Sequence, residues 1–397
     1  MRTARVAGML MTDRSARGGW LVVLLSAAVT VGPSRSSLRG DEPEETRLRT
    51  HVSALASPAF GGRSGAGARK SAEYIAEAFR ALRLEPLFAD SYFQDIPASG
   101  PGRPRGRNVG ARLLGSDSAL RDQWIVVSAH YDHLGIQGGE LYPGADDNAS
   151  GVAMMLEVAR ALARGPERPR RSLMFLGFDQ EEIGLYGSRY FVEHPPAPLD
   201  RLALFLTADM IGRALGGVCE PYVFVMGTEH APGLRPWIER AARNRPITVG
   251  LLGADLLMIN RSDYGPFRAR EVPFLFFSTG ENPRYHTPLD TPETLNYAKL
   301  ESISRIILDV VRQATDAETV PKWRPVPDHP LAEAVTIRDV ILTFLENRDR
   351  LGIGAGQMYL MKNTLRNLNG VIARQAITPE ERTAMVRMAR LFLISVL

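Results

Sequence analysis

Cysteine is almost missing from these 397 residues, since Cys219 stands alone. That excludes an intrachain disulfide and any thiolate-rich zinc site, and it leaves the redox compartment unread. Excess charge is missing too, once the start of the chain is set aside. The formal net charge is +4, but six arginines against the single acid Asp13 fall in the first 40 residues, which leaves the remainder at −1. The body therefore offers no phosphate-binding surface, and no nucleic-acid partner is expected. Internal repeats and low-complexity tracts are absent. The apolar run at residues 20–31 is shorter than the about 20 residues that span a bilayer. What is present is a globular composition, 45% hydrophobic and 23% charged, long enough for one large domain with appendages.

Arginines followed by that short apolar run, with small residues Ser26 and Ala28 near its end, match a signal peptide. Residues 1–40 are read as such a leader, with Met9 or Met11 as alternative starts and an uncleaved interfacial anchor as the competing reading. The expected location is exported, periplasmic or secreted, with membrane association if the leader is kept. No membrane span is expected after its removal.

From residue 42 to about 86 the pattern is helical, with Tyr74, Ile75, Ala78, Phe79 and Leu82 on one face. Inside it, the glycine-rich segment 61–67 lacks both the preceding strand and the Gly-Lys-Ser/Thr ending of a phosphate-cradling loop. It reads as a flexible surface loop. A Pro/Gly/Arg connector at 97–107 follows. Strands are expected at 124–129, 171–178, 202–208, 222–226 and 273–278, with helices at about 150–164, 185–193 and 232–244. Strands alternating with helices at this spacing imply an α/β fold with a wound, largely parallel sheet. Beyond about residue 320 a proline-rich linker at 323–330 leads to helices at 331–345, 357–373 and 379–396. The last opens on a capping box, Thr378 with Glu381, and Pro379 at the first helical position. This tail reads as a packing or oligomerisation element.

Chemistry gathers where strands end or helices begin. The apolar run through Phe178 gives way to Glu181 and Glu182, the 124–129 strand empties into His130, Tyr131, Asp132 and His133, and the 202–208 strand into Asp209. Asp146 and Asp147 open a helix, and His286 follows the last strand. Each alone has a bland explanation, as solvated acids or hydrogen-bonded structural histidines. Together they put ligand-type residues on the carboxyl edge of one sheet, where open α/β folds hold ligands. Imidazole with carboxylate and no thiolate suits zinc or a related divalent ion at a catalytic site. Asp146, Asn148, Ser150 and Gly151 with Glu157 also fit the spacing of a calcium loop. The turn at Tyr142-Pro143-Gly144 replaces the entering helix that such a loop needs.

The ordered set His130-x-Asp132, Asp147-Asn148-x-Ser150-Gly151, Glu181-Glu182, Asp209-Met210-Ile211-Gly212-Arg213 and Tyr285-His286-Thr287 resembles the co-catalytic two-zinc exopeptidases. That group includes bacterial leucine aminopeptidases, aminopeptidase Y and glutamate carboxypeptidase. The resemblance spans about residues 42–314. It implies an α/β/α three-layer sandwich on a mostly parallel, mixed sheet, here a catalytic domain at 42–320 followed by a helical extension at 321–397. It implies two zinc ions, one held by His130 and Asp209, the other by Glu182 and His286, with Asp147 bridging. Asp132 would orient His130, as metal-bound imidazoles require. Glu181 would be the general base, since a carboxylate that is not a ligand must take the proton of the attacking water. Tyr285, beside a ligand, is read either as an oxyanion donor or as packing. His133 matches no ligand of the family. The match departs at Ser262-Asp263-Tyr264, where relatives commonly carry histidine at the position of Tyr264, and the departure bears on the substrate pocket.

The function that follows is an exported zinc aminopeptidase releasing N-terminal residues from peptides. Three alternatives stand beside it: a carboxypeptidase of the same family, a glutaminyl cyclase-like acyl transfer needing one zinc, and a non-catalytic binding protein on the same fold. The complete ligand set counts against the last two.

Overall fold

Strands β1 (Glu85–Pro86), β2 (Phe93–Ile96), β3 (Gly106–Leu113), β4 (Trp124–His130), β5 (Ile136–Gln137), β6 (Glu140–Leu141), β7 (Ser172–Phe178), β8 (Leu202–Ala208), β9 (Tyr222–Met226), β10 (Thr248–Leu251) and β11 (Phe274–Ser278) alternate with helices. The helices are α1 (Glu45–Leu55), α2 (Ala66–Ala81), α3 (Gly151–Arg164), α4 (Tyr186–Glu193), α5 (Arg235–Ala242), α6 (Tyr264–Arg268), α7 (Tyr297–Asp316), α8 (Leu331–Glu346), α9 (Ala355–Arg374) and α10 (Pro379–Val396). This computed structural model describes residues 42–98, 105–256 and 260–396, so the expected leader at 1–40 lies outside the described residues. Among those residues no helix is long and apolar enough to cross a membrane.

One sheet runs β1-β3-β7-β4-β8-β11-β9-β10, with β2 also paired to β3. Its centre is parallel: β7 pairs β4, β4 pairs β8, and β8 pairs β11. The flanks turn antiparallel, where β3 meets β7 and β9 meets β11. Four adjacent strands thus deliver their carboxyl ends to one rim.

Side chains along the strands alternate between two apolar cores, so the sheet is buried on both faces. Ile125 and Val127 of β4, Leu173 and Phe175 of β7, and Leu275 and Phe277 of β11 join the core shared with α1, α2, α3, α5 and α7. Val126, Met174, Leu176, Phe274 and Phe276 face the other core, built with α4, α6, α8, α9 and α10. The architecture is a three-layer α/β/α sandwich. Helix α3 is apolar nearly all round because it lies under α1 and α7. Its Glu157 is buried and paired with Arg47 at 2.7 Å and Arg160 at 3.0 Å, so it is part of the core and not of a calcium loop.

Three features differ from the sequence reading. The helical pattern at 42–86 is broken into α1 and α2 by a short 3₁₀ turn, Pro58–Arg63. The glycine-rich segment is not a flexible surface loop, since Gly62 and Arg63 are buried and Gly62 lies against the Gly135 backbone. Strand β3, which begins at the end of the expected connector, the short β10, and the 20-residue α7 were not anticipated.

The tail is bolted to the second face. Trp323 stacks on His230 at 3.9 Å, and the next residue, Arg324, donates its N–H to the His230 carbonyl while its own carbonyl lies 2.9 Å from His230 Nδ1. Arg382 of α10 binds both Glu333 of α8 and Asp255, with nitrogen–oxygen distances of 2.7 Å to each. Glu333, 1% exposed, also accepts the Gly253 N–H. The capping box forms as expected: Thr378 Oγ1 accepts the Glu381 N–H, and the Glu381 carboxylate accepts the Thr378 N–H.

Candidate metal centre and substrate cavity

Strand β4 ends on His130, buried to 1% exposure, whose Nε2 lies 3.3 Å from Asp209 and 3.4 Å from Asp147. Across Asp147, the other carboxylate oxygen stands 3.1 Å from His286 Nε2, which is also 3.1 Å from Glu182. His130, Asp147 and Asp209 form one group able to hold a cation; His133, Asp147, Glu182 and His286 form a second. Asp147 belongs to both. All five residues expected as ligands are therefore brought together.

The loop that carries Asp147 is held by groups that the sequence reading did not single out. Arg63, fully buried in a left-handed conformation, donates to the carbonyls of Tyr131, Pro143, Gly144 and Asp147. From the other side Asp290 accepts the N–H groups of Asp146 and Asp147 and pairs with Arg213 at 2.5 Å. Gly151 is required where it is: a Cβ there would sit 2.4 Å from Asn148 Oδ1 and 2.5 Å from the Ala208 carbonyl. Asp146 is turned away, accepting from the Gly212 N–H, which leaves Asp147 as the member of the pair at the site.

The expected orienting residue, Asp132, places Oδ1 3.6 Å from His130 Nδ1. The same carboxylate accepts the N–H groups of Glu181 and Glu182, at 3.1 and 3.3 Å, so it also fixes the turn that presents both glutamates. His133 Nδ1 donates to Glu182 Oε1 across 2.7 Å, which makes it part of the centre. Its signal in the sequence was only its nearness to His130. Glu181 lies outside both cation-holding groups and opens on the adjoining cavity.

The electrostatics describe a site short of positive charge. Burial alone would depress His286, yet Asp147 and Glu182 raise it to about 10. His130 likewise goes up against its burial because Asp209 and Glu181 face it. Burial opposes ionisation of Asp147, but the imidazoles at its oxygens hold it well below the usual carboxylate range. Glu181 is pushed up, by burial first and then by the Asp209 and Asp263 charges. Asp263 is pushed up to about 7 by its burial, against the pull of His130 and Ser188. Nδ1 of His130 and Nε2 of His133 are also buried without a well-aligned partner among the described residues. Orphaned imidazole nitrogens converging with carboxylates fit divalent cations of the zinc type.

Beside this centre opens a cavity of about 520 Å³. Asp147, Glu181, Glu182, Asp209 and Tyr285 line its mouth, where the Tyr285 ring stacks on His286 at 3.8 Å. Its deeper walls are apolar, and α8 and α10 contribute Ile337, Ile341, Phe344 and Ala389. The tail thus does more than pack. Tyr264, whose position departs from the resemblance, is fully buried and stacked on Phe274 and Phe276, so it supports the wall from behind and does not line the cavity.

The residues of this centre fall within the stretch that known proteins match. Residues 108–311 match peptidase family M28. Aminopeptidase YwaD of Bacillus subtilis (strain 168) is 29% identical over 205 residues, covering 50% of this chain and 42% of that protein. The glutaminyl-peptide cyclotransferase of Boiga irregularis is 29% identical over 247 residues, covering 51% of this chain and 65% of that protein. The chain spans less than two thirds of either relative. Among solved structures, LapB from Legionella pneumophila superposes with a TM-score of 0.57 at 18% identity, covering 72% of this chain and 77% of that chain, a likeness of fold.

Proposed function

Because the chain belongs to peptidase family M28, a family of zinc peptidases, we propose that it is a two-zinc aminopeptidase that removes N-terminal residues from peptides. The observation that carries this reading is the pair of cation-holding groups that share Asp147, with Glu181 beside them but in neither. His130 and Asp209 with Asp147 would hold one ion, and Glu182 and His286 with Asp147 the other. The bound zinc supplies Lewis acidity, lowering the pKa of water and polarising the scissile carbonyl.

The remaining work falls to the chain itself. Glu181 takes the proton of the attacking water and returns it to the departing amine nitrogen, as the carbon–nitrogen bond breaks and the hydroxyl stays on the acyl carbon. Asp132 keeps Glu181 in place through its backbone N–H. His133 steadies Glu182. The phenol of Tyr285, at the mouth, donates to the oxygen on which negative charge develops.

Acids dominate the cavity mouth, which suits the ammonium of a free N-terminus better than a C-terminal carboxylate. The two arginines of the lining are already engaged: Arg261 pairs with Glu281, and Arg390 donates to the carbonyls of Asp255 and Leu256. Likeness to a cyclotransferase supports a second reading, acyl transfer with one zinc. A panel of free-amine peptides, N-blocked peptides, peptides with acidic C-termini and an N-terminal glutaminyl peptide separates these. Release of N-terminal residues from the free-amine set is expected. Cyclisation of the glutaminyl peptide without hydrolysis of the others would replace the first reading by the second.

A further inference from the structure

The cavity is larger than its proposed task needs. About 150 Å³ suffices to bind benzene in an apolar protein cavity, so about 520 Å³ exceeds what the scissile group and any one standard side chain fill. Interiors are close-packed, and a void of this size under a helix marks a binding slot and not loose packing.

The register gives its direction. In the antiparallel β9–β11 pair, Ser278 sits opposite Phe224 near the catalytic rim, and Phe276 sits opposite Met226 two residues further down. All four line the cavity. It therefore descends the sheet face by two residue layers, about 7 Å, beneath α8. Ile337 and Ile341 close it from above. Both belong to the tail, beyond the residues that match the peptidase family.

Polarity identifies the occupant. Below the mouth the polar lining groups are already paired: Ser278 Oγ accepts the Gly280 N–H, Thr336 donates to the Ala332 carbonyl, and Arg390 serves backbone carbonyls. A second peptide unit in the slot would leave its own N–H and C=O unpaired, which is costly. An alkyl chain has none to pair. We infer that the slot between the sheet and α8 receives an aliphatic side chain on the N-terminal residue that is longer than any standard one, a lipid-like α-amino acid. This rests on the aminopeptidase reading. The bond cleaved is the same amide, with water divided between acid and amine as above.

The test uses the full chain loaded with zinc and a series of amides of alanine, norleucine, 2-aminooctanoic and 2-aminodecanoic acid. Each methylene that enters an apolar slot should raise kcat/KM by about three- to fourfold until the slot ends, so the 2-aminooctanoyl amide should exceed the norleucyl one by about tenfold. Ile341→Trp, or Ile337→Trp should the first fail to fold, should lower the ratio of long to short substrates at least tenfold. Calorimetry with 2-aminodecanoic acid against alanine reads the slot without turnover, and tighter binding of the longer acid that Ile341→Trp abolishes is expected. Cleavage of alanyl and norleucyl amides with a decline beyond norleucine would overturn the slot and leave the aminopeptidase reading intact. No cleavage of any amide at full zinc occupancy would overturn that reading, and equal binding of the two acids would overturn the slot independently.

Discussion

The two ends of one cavity were built by different means. At the mouth, most reactive side chains sit at or just past a strand end or before a helix, with Tyr285 and His286 in the loop after β11, so backbone topology brings His130, Glu181, Glu182 and Asp209 to a common rim. At the deep end, the wall facing the sheet is made of ordinary apolar residues from helices far along the chain, placed by an ion-pair anchor and a stacked tryptophan. The comparison teaches that chemistry is written in residue type at fixed positions, whereas selectivity is written in tertiary packing. The mouth should break through single polar atoms. The deep end should break only when its anchorage or volume changes.

The largest expected effect is at the mouth. Glu181→Gln should keep its zinc and lose hydrolysis by about 10²–10⁴-fold, because the amide retains the shape but cannot accept a proton. Glu182→Gln should instead weaken zinc binding; indistinguishable metal content and rates in the two variants would show that the assignment of base and ligand is wrong. Next comes the anchor of the deep end. Arg382→Met takes the guanidinium from Glu333, 1% exposed, at a cost of about 3 kcal/mol, the low end for a broken buried pair because Glu333 keeps the Gly253 N–H and Asp255 reaches solvent. The urea midpoint should fall while zinc stoichiometry holds. Tyr285→Phe sharpens the contrast: if the phenol serves the oxyanion, kcat drops about 10²–10³-fold with KM and melting temperature nearly unchanged. An unaltered kcat would make Tyr285 a packing residue. Thr378→Ala removes the side-chain cap of α10 and should cost only about 1 kcal/mol, read by thermal melting.

Much of the mouth was legible because strand ends announce themselves: an apolar run stops and a ligand-type residue follows, as at Phe178 before Glu181. The supporting groups were not. Arg63 lies in a glycine-rich segment that looks like a loop, and its role depends on carbonyls about 80 positions away. Asp290 and Asp263 are single acids without a pattern. Tyr264 stands where relatives commonly carry histidine, yet packing buries it against Phe274 and Phe276. Helix α7 is legible in the sequence, since Leu300, Ile303, Ile307, Val310 and Ala314 recur at helical spacing. The cavity wall from α8 gave no signal at all, because Ile337 and Ile341 look like any core-facing residues of an amphipathic helix.

The central claim is that Asp147 is shared by two metals, and zinc stoichiometry tests it most directly. Elemental analysis of the zinc-saturated full chain, alongside Asp147→Ala, should give close to two equivalents per chain in the wild type, with both sites weakened by the single substitution. One equivalent that stays at one on adding zinc, with full activity, would contradict it.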